Sequence, residues 1–170
     1  MRMPATRTLA ISALPIPDAW QAIPLRLIVG YGFFAHGYAK LARGPDHFAG
    51  ILHAIGLPHA ELLSWATVIV EIVGGLMIAF GALVPVIAVP MIVVLLVATF
   101  TVHLPNGFSS IKLLSFDAGG AHFGQPGFET DLLYMACLVS LSITGAGPLS
   151  FDRLMERRRM RSMLPLRERS

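Results

Sequence analysis

Three features of the sequence predict an all-α integral membrane protein built as a four-helix bundle. Hydrophobic residues make up 55% of the 170-residue chain and charged residues only 14%, against about 25% charged residues in soluble domains. The apolar residues form several long runs rather than one, and the mean hydropathy is +0.68. Basic residues are concentrated after the last run. We predict four helices, at approximately residues 23–41, 62–81, 85–103 and 131–144.

The first helix is expected to begin near Pro24, because proline fits the first turn of a helix, where its missing N–H would be unpaired anyway. Residues 1–22 precede it. Their apolar run, residues 9–14, is short for a signal peptide, and no small-residue cleavage site stands out. We expect this segment to be a retained N-terminal tail.

The second helix carries one charge, Glu71, at its midpoint. About 20 apolar residues are enough to cross the roughly 30 Å hydrocarbon core of a bilayer as a helix. A carboxylate halfway through such a span costs about 2.5–3.5 kcal/mol even on lenient insertion scales. Glu71 therefore requires a partner or a polar cavity.

The connections carry their own signals. Asp46 to Ile55 is predicted to be a short surface helix ended by Gly56. The third long helix starts at Pro85, and proline and glycine end it after His103. In the long connection that follows, residues 111–116 are apolar enough to enter the membrane interface or to form a short strand. Asp131 is expected to be an N-cap or first-turn acid of the fourth helix.

The distribution of charge predicts the orientation of the chain. Seven of the thirteen Lys and Arg residues follow residue 152. A cluster of basic residues next to the last apolar run favours the cytoplasmic side of the membrane and its anionic leaflet. We therefore expect a multi-pass protein of the bacterial cytoplasmic membrane with both termini in the cytoplasm. Its domains would be the tail 1–22, the bundle 23–148 and a basic cytoplasmic tail, 149–170. Nothing in the sequence suggests a nucleic-acid partner.

A partner for Glu71 is predicted from depth in the membrane. At about 1.5 Å per residue, His36 lies roughly 18 Å and Glu71 roughly 15 Å from the cytoplasmic ends of their helices. Lys40 is one turn above His36 on the same face, and Arg26 is near the inner boundary. Arg26 is expected either to extend upward or to reach back to the headgroups. Thr99 and His103 share a face of the third helix.

Each of these residues has a structural interpretation as well as a functional one. Glu71 and His36 are candidate proton-handling residues, because histidine titrates near neutral pH and intramembrane acids are usually functional. The same two residues could instead form a hydrogen-bonded contact that only fixes helix packing. Lys40 could extend to the interface, and His103 could cap its helix.

Metal and haem sites are not expected. The histidines lack the close spacing of a zinc site. His36 and His103 differ by roughly 9 Å in height, which does not suit the two axial ligands of a haem. The single cysteine, Cys137, excludes an internal disulfide.

With these landmarks in place, the chain resembles the DoxX family of small bacterial membrane proteins over about residues 20–150. The residues that carry the resemblance are Arg26-Leu-Ile-Val-Gly30, His36-Gly37, Lys40, Phe48, Gly56-Leu-Pro58, Val70-Glu71, Gly74-Gly75, Val102-His103-Leu-Pro-Asn106-Gly107-Phe108, Gly127 and Glu129. The resemblance implies a four-helix membrane bundle. It also implies a link to quinone-dependent or membrane oxidoreductase systems.

The leading hypothesis is a membrane oxidoreductase subunit that holds a quinone or similar lipophilic ligand. Glu71 and His36 would handle protons, and five further residues would bind or orient the ligand: Arg26, Lys40, His103, Asn106 and Glu129. No flavin, nicotinamide or iron–sulfur motif is present, so electrons would come from a soluble or membrane redox partner protein. The alternative is a non-enzymatic scaffold or small-solute carrier in which the charged cluster is structural.

Overall fold

The protein is described by a computed structural model over residues 20–167, with side chains over residues 20–160. The predicted N-terminal tail lies outside this range except for its last three residues. The chain is mostly helical. Its helices are α1 Ala22–Arg43, α2 Pro45–Ala54, α3 Ala60–Phe80, α4 Val84–Ala98, α5 Glu129–Thr144 and α6 Phe151–Arg167. A π turn, Thr99–His103, and a 3-10 turn, Leu104–Asn106, extend α4, and two strands, β1 Leu113–Asp117 and β2 Gly120–Phe123, precede α5.

The four long helices predicted from the sequence correspond to α1, α3, α4 with its π turn, and α5, with ends that differ by at most two residues. The short surface helix is confirmed as α2. The all-α prediction is wrong in one respect, because β1 and β2 form an antiparallel hairpin. Its turn is stabilised by Asp117, whose Oδ1 accepts a hydrogen bond from Gly119 N at 2.7 Å. No helix was predicted in the basic tail, 149–170, but the structure has the helix α6 there.

The long helices contact one another in a closed ring. α1 packs on α3, α3 on α4, α4 on α5, and α5 on α1. The interior of the ring holds large buried side chains from each helix, including Val29, Ile78, Met91 and Leu138. This arrangement gives the four helices one shared core.

Glycines set the distance between α1 and α3. A Cβ added at Gly30 would lie 2.6 Å from the carbonyl oxygen of Gly75, and one added at Gly75 would lie 2.7 Å from Phe34 N. These distances are shorter than any side chain tolerates, so only glycine fits at either position. Small residues allow the same close approach of backbones in other membrane helix pairs.

The outer surface of the ring is strongly apolar. Large hydrophobic side chains such as Phe80, Val86, Val93 and Phe100 are more than half exposed on α3, α4 and the π turn. Two helical stretches, Ala60–Phe80 and Val84–Asn106, are long and apolar enough to cross a membrane. An apolar exterior of this extent is typical of a surface covered by lipid.

We predict that Gly30→Ala destabilises the protein, because the added methyl group would overlap the backbone of α3. Overpacking of this kind costs about 1–3 kcal/mol. Gly50→Ala in α2 is the matched control, because a Cβ there meets no atom within 4 Å. Thermal unfolding in detergent should show a lower midpoint for Gly30→Ala and an unchanged or slightly higher one for Gly50→Ala. Equal midpoints would contradict the close contact.

Candidate functional site

Glu71 is paired with Lys40. The ammonium group of Lys40 lies 2.6 Å from Oε1 and 2.5 Å from Oε2 of Glu71, so it donates to both carboxylate oxygens. The Glu71 side chain is only 6% exposed, and that of Lys40 is 23% exposed. The expensive carboxylate in the middle of α3 therefore has a charged partner, as a buried charge requires.

The sequence predicts His36 as the partner of Glu71 at matching depth, whereas in the structure Lys40 donates the hydrogen bonds to Glu71. Gly37 explains the geometry. A Cβ at this position would lie 2.8 Å from Cβ of Glu71, so Gly37 faces Glu71 directly. Side chains of an α-helix tilt toward its N-terminus. The long side chain of Lys40, one turn above, therefore points down to the level of Glu71.

His36 lies beside this ion pair without joining it. Within the described part of the chain no hydrogen bond connects the side chains of His36 and Glu71. His36 is exposed and lines the same cavity as Glu71 and Lys40. The structure thus leaves the imidazole available to a ligand.

The short helix α2 covers the ion pair from the side. The ring of Phe48 lies 5.1 Å from the ammonium nitrogen of Lys40, a cation–π distance. The fully buried hydroxyl of Ser64 donates to the carbonyl oxygen of Pro45 at 2.7 Å and attaches the start of α2 to α3. An apolar ring on one side and a carboxylate on the other fix the position of Lys40.

A second acid–base group lies at the junction of α4 and α5. Asp131 is buried, and its Oδ2 lies 2.6 Å from Nδ1 of His103. The same oxygen accepts a hydrogen bond from the Thr99 hydroxyl at 2.8 Å. An aspartate that accepts from Nδ1–H fixes the tautomer of a histidine and leaves Nε2 for other partners. We call Thr99, His103 and Asp131 the outer triad.

The π turn positions two members of the outer triad. Thr99 and His103 are its first and last residues, and the N–H of Leu104 donates to the carbonyl of Thr99, five residues back. π turns inside helices frequently occur at functional sites. Here the wider turn directs both side chains toward Asp131.

One cavity of about 950 Å³ joins the two polar groups. His36, Lys40 and Glu71 line it, and so do His103 and Asp131. The rest of its wall is mainly aliphatic and aromatic. The rings of Phe33 and Tyr134 are tilted by 35° to each other at a ring-centroid distance of 5.8 Å. A large apolar cavity with a few convergent polar groups is the usual form of a small-molecule site.

Arg26 lies apart from this cavity. Its side chain is buried at the opposite end of the helices, where Nη2 donates to the carbonyl oxygen of Pro148 at 3.3 Å. It does not extend toward Glu71, contrary to one of the two positions expected from the sequence. The guanidinium packs against Gly81, where a Cβ would overlap Nη1. Proximity to the C-terminal end of α3 favours a cation there.

Asn106 and Glu129, two of the predicted ligand-binding residues, are occupied by local contacts. Asn106 donates to the carbonyl oxygen of Val102 at 3.1 Å within the turn that ends α4. Glu129 accepts a hydrogen bond from Ser110 N at 3.0 Å and so holds the loop at the start of α5. Neither residue is part of the cavity wall.

The sequence predicts Asp131 as an N-cap or first-turn acid of the fourth helix, and the first-turn alternative is confirmed. The outer triad was not predicted. Asp131 is in the first turn of α5, but its side chain forms no capping hydrogen bond. The sequence feature that indicates this triad is the shared helix face of Thr99 and His103, because two polar residues in an apolar helix require a polar neighbour. No metal-ligating group of three or more His, Cys, Asp or Glu side chains occurs among the described residues.

Comparison with known proteins gives the family. Residues 22–104 match DoxX. A protein of Mycobacterium tuberculosis (strain ATCC 25618 / H37Rv), named "Uncharacterized membrane protein Rv3486", is 31% identical over 140 residues, which are 80% of this chain and 82% of the relative. The chain belongs to the DoxX family. It is a membrane protein of the DoxX type.

A second relative has a name that indicates chemistry. It is a Bacillus subtilis (strain 168) protein named "Putative oxidoreductase CatD", and it is 28% identical over 128 residues, 75% of this chain and 81% of the relative. The comparison with solved structures gives no match. Lys40, Glu71, Thr99 and His103 lie within the matched DoxX range, whereas Asp131 lies beyond it.

We predict that Lys40→Met destabilises the protein by about 3 kcal/mol, because it leaves the carboxylate of Glu71 buried without a partner. The double variant Lys40→Met/Glu71→Leu removes both charges and should recover most of this loss. The free energies of unfolding in detergent of Lys40→Met, Glu71→Leu and the double variant together measure the coupling between the two side chains. Additive losses would show that the ion pair is not formed.

Proposed function

We propose that this DoxX protein is a multi-pass subunit of an oxidoreductase system in the bacterial cytoplasmic membrane, with both termini in the cytoplasm. Its cavity would bind a quinone or a similar lipophilic ligand. The observation that carries the proposal is the wall of the cavity, where the Lys40–Glu71 pair and the outer triad face one apolar space. Ionisable groups within a membrane domain are costly and usually functional.

The chemistry of a quinone fits these two groups. Reduction of a quinone to a quinol consumes two electrons and two protons, one proton at each ring oxygen. A redox partner protein would supply the electrons, because the chain has no flavin, nicotinamide or iron–sulfur motif. His103 would exchange a proton through Nε2 while Asp131 stabilises its charged form. His36 would deliver the second proton to the other ring oxygen, and water would reprotonate both imidazoles. Lys40 would donate a hydrogen bond to that oxygen, and Glu71 would balance the charge.

The shape of the cavity supports entry of the ligand from the lipid. Val89, Val93 and Val97 of α4 line the cavity and are also strongly exposed on the apolar exterior. The cavity therefore reaches the surface between α3 and α4, where lipid tails would lie. A ligand that partitions into the bilayer can enter there without crossing water. The oxidoreductase name of the Bacillus relative agrees with a redox role.

A second candidate function is a non-enzymatic scaffold or a small-solute carrier. The observation in its favour is that Lys40 already satisfies both carboxylate oxygens of Glu71, as a purely structural ion pair would. Mass spectrometry of small molecules retained after gentle purification separates the candidates. A retained quinone supports the first, and a retained polar solute or none supports the second.

We predict that Asp131→Asn weakens binding of a short-chain quinone by about tenfold or more, because the charged acceptor that orients His103 is lost. Asp117→Asn is the matched control, because Asp117 forms the same kind of pair with His122, at 2.9 Å, on the exposed hairpin. Equilibrium binding to the purified protein measures both. A similar quinone affinity for the two variants would show that the outer triad does not contribute to the binding site.

We also predict that Ala66→Trp reduces quinone binding at least tenfold, because the indole would fill the cavity beside α3. Ile69→Trp on the same helix is the control, since Ile69 is 55% exposed on the outer surface. Both variants should unfold at the temperature of the parent protein. Loss of binding in both, or in neither, would contradict the assigned location.

A further inference from the structure

α6 begins at the end of the two most apolar helices. Asp152 N donates to the carbonyl oxygen of Gly81 at 3.2 Å, and Oδ1 of Asp152 accepts a hydrogen bond from Leu83 N at 2.9 Å. Gly81 and Leu83 form the turn between α3 and α4, whose lengths match a membrane span. The first turn of α6 is therefore held at the level where these helices leave the hydrocarbon core.

The first half of α6 is exposed and basic. Residues 153–160 are exposed throughout. They carry four arginines, Arg153, Arg157, Arg158 and Arg159, and one acid, Glu156. The other acid of the helix, Asp152, is already engaged at the α3–α4 turn. The charge that α6 presents to its surroundings is accordingly positive.

Apolar side chains accompany this charge and continue the lipid-covered exterior. Phe151, Leu154 and Met155 are each about half exposed, and their spacing of three and four residues places them on one side of the helix. Leu149, just before α6, and Leu83, in the adjoining turn, are also exposed. The apolar exterior of the bundle thus extends without interruption onto the start of α6.

We propose that α6 lies on the membrane surface and binds anionic lipid headgroups of the leaflet on its side. Phe151, Leu154 and Met155 would enter the boundary between headgroups and acyl chains, and the arginines would contact lipid phosphates. Basic helices with an exposed apolar face bind membrane surfaces in this manner. Arginine next to the apolar side can bury its aliphatic part and keep the guanidinium at the headgroups. The proposal does not depend on what occupies the cavity.

The test uses the full-length chain in nanodiscs of phosphatidylcholine, with and without phosphatidylglycerol. An environment-sensitive fluorophore is attached to Met155→Cys in a Cys137→Ala background. We expect blue-shifted emission only with phosphatidylglycerol, reversed by high salt because salt screens the headgroup charge. Arg157→Gln/Arg158→Gln should lower the ratio of bound to free α6 about thirtyfold.

Arg43→Gln/Lys112→Gln is the matched control, because it removes two positive charges at the opposite end of the molecule and should leave the emission unchanged. Tryptic cleavage after Arg157 and Arg158 of the unlabelled parent chain provides a second measurement, and it should slow in phosphatidylglycerol. Emission and cleavage that are the same in both lipids would overturn the proposal. So would protection that appears only when an acidic soluble protein is added. Quinone binding by the arginine variant, which should be unaffected, separates this result from the function proposed for the cavity.

Discussion

The close contact between α1 and α3 is the constraint on which the candidate site depends. Helices usually pack with their axes 8–10 Å apart, according to the side chains between them. At Gly30, Gly37 and Gly75 there is no side chain, and the backbones meet. At this short separation Lys40 reaches from α1 to α3 and donates to both carboxylate oxygens of Glu71.

The two polar groups of the cavity differ in charge and in accessibility. Lys40, in the last turn of α1, and Glu71, in the middle of α3, form a close and largely buried ion pair. In the outer triad, one buried carboxylate supports an imidazole that is partly exposed at the end of α4. The first arrangement suits the balance of charge around a bound ligand. In the function we propose, the second would exchange a proton with the ligand.

The sequence was sufficient to predict the long helices and the position of Glu71 in the middle of one of them, because apolar runs and helix-breaking residues determine where the helices begin and end. It was not sufficient to choose between His36 and Lys40 as the partner of Glu71. That choice depends on the direction in which a helical side chain tilts and on the space left by Gly37. Asp131 was assigned a local role because its partners, Thr99 and His103, are about thirty residues away in the sequence.

The π turn has a consequence for how the sequence of α4 is interpreted. A turn closed by a bond from residue i to i+5 contains one residue more than an α-helical turn. The side chains after it are therefore rotated by about 100° relative to a continuous α-helix. The apolar pattern before Thr99 and the polar pattern after it belong to different helical phases. If a related sequence aligned with this one has a gap within Thr99–His103, the gap marks the loss of the extra residue and a change of helical phase. The residue aligned with His103 would then point in a different direction from the helix axis.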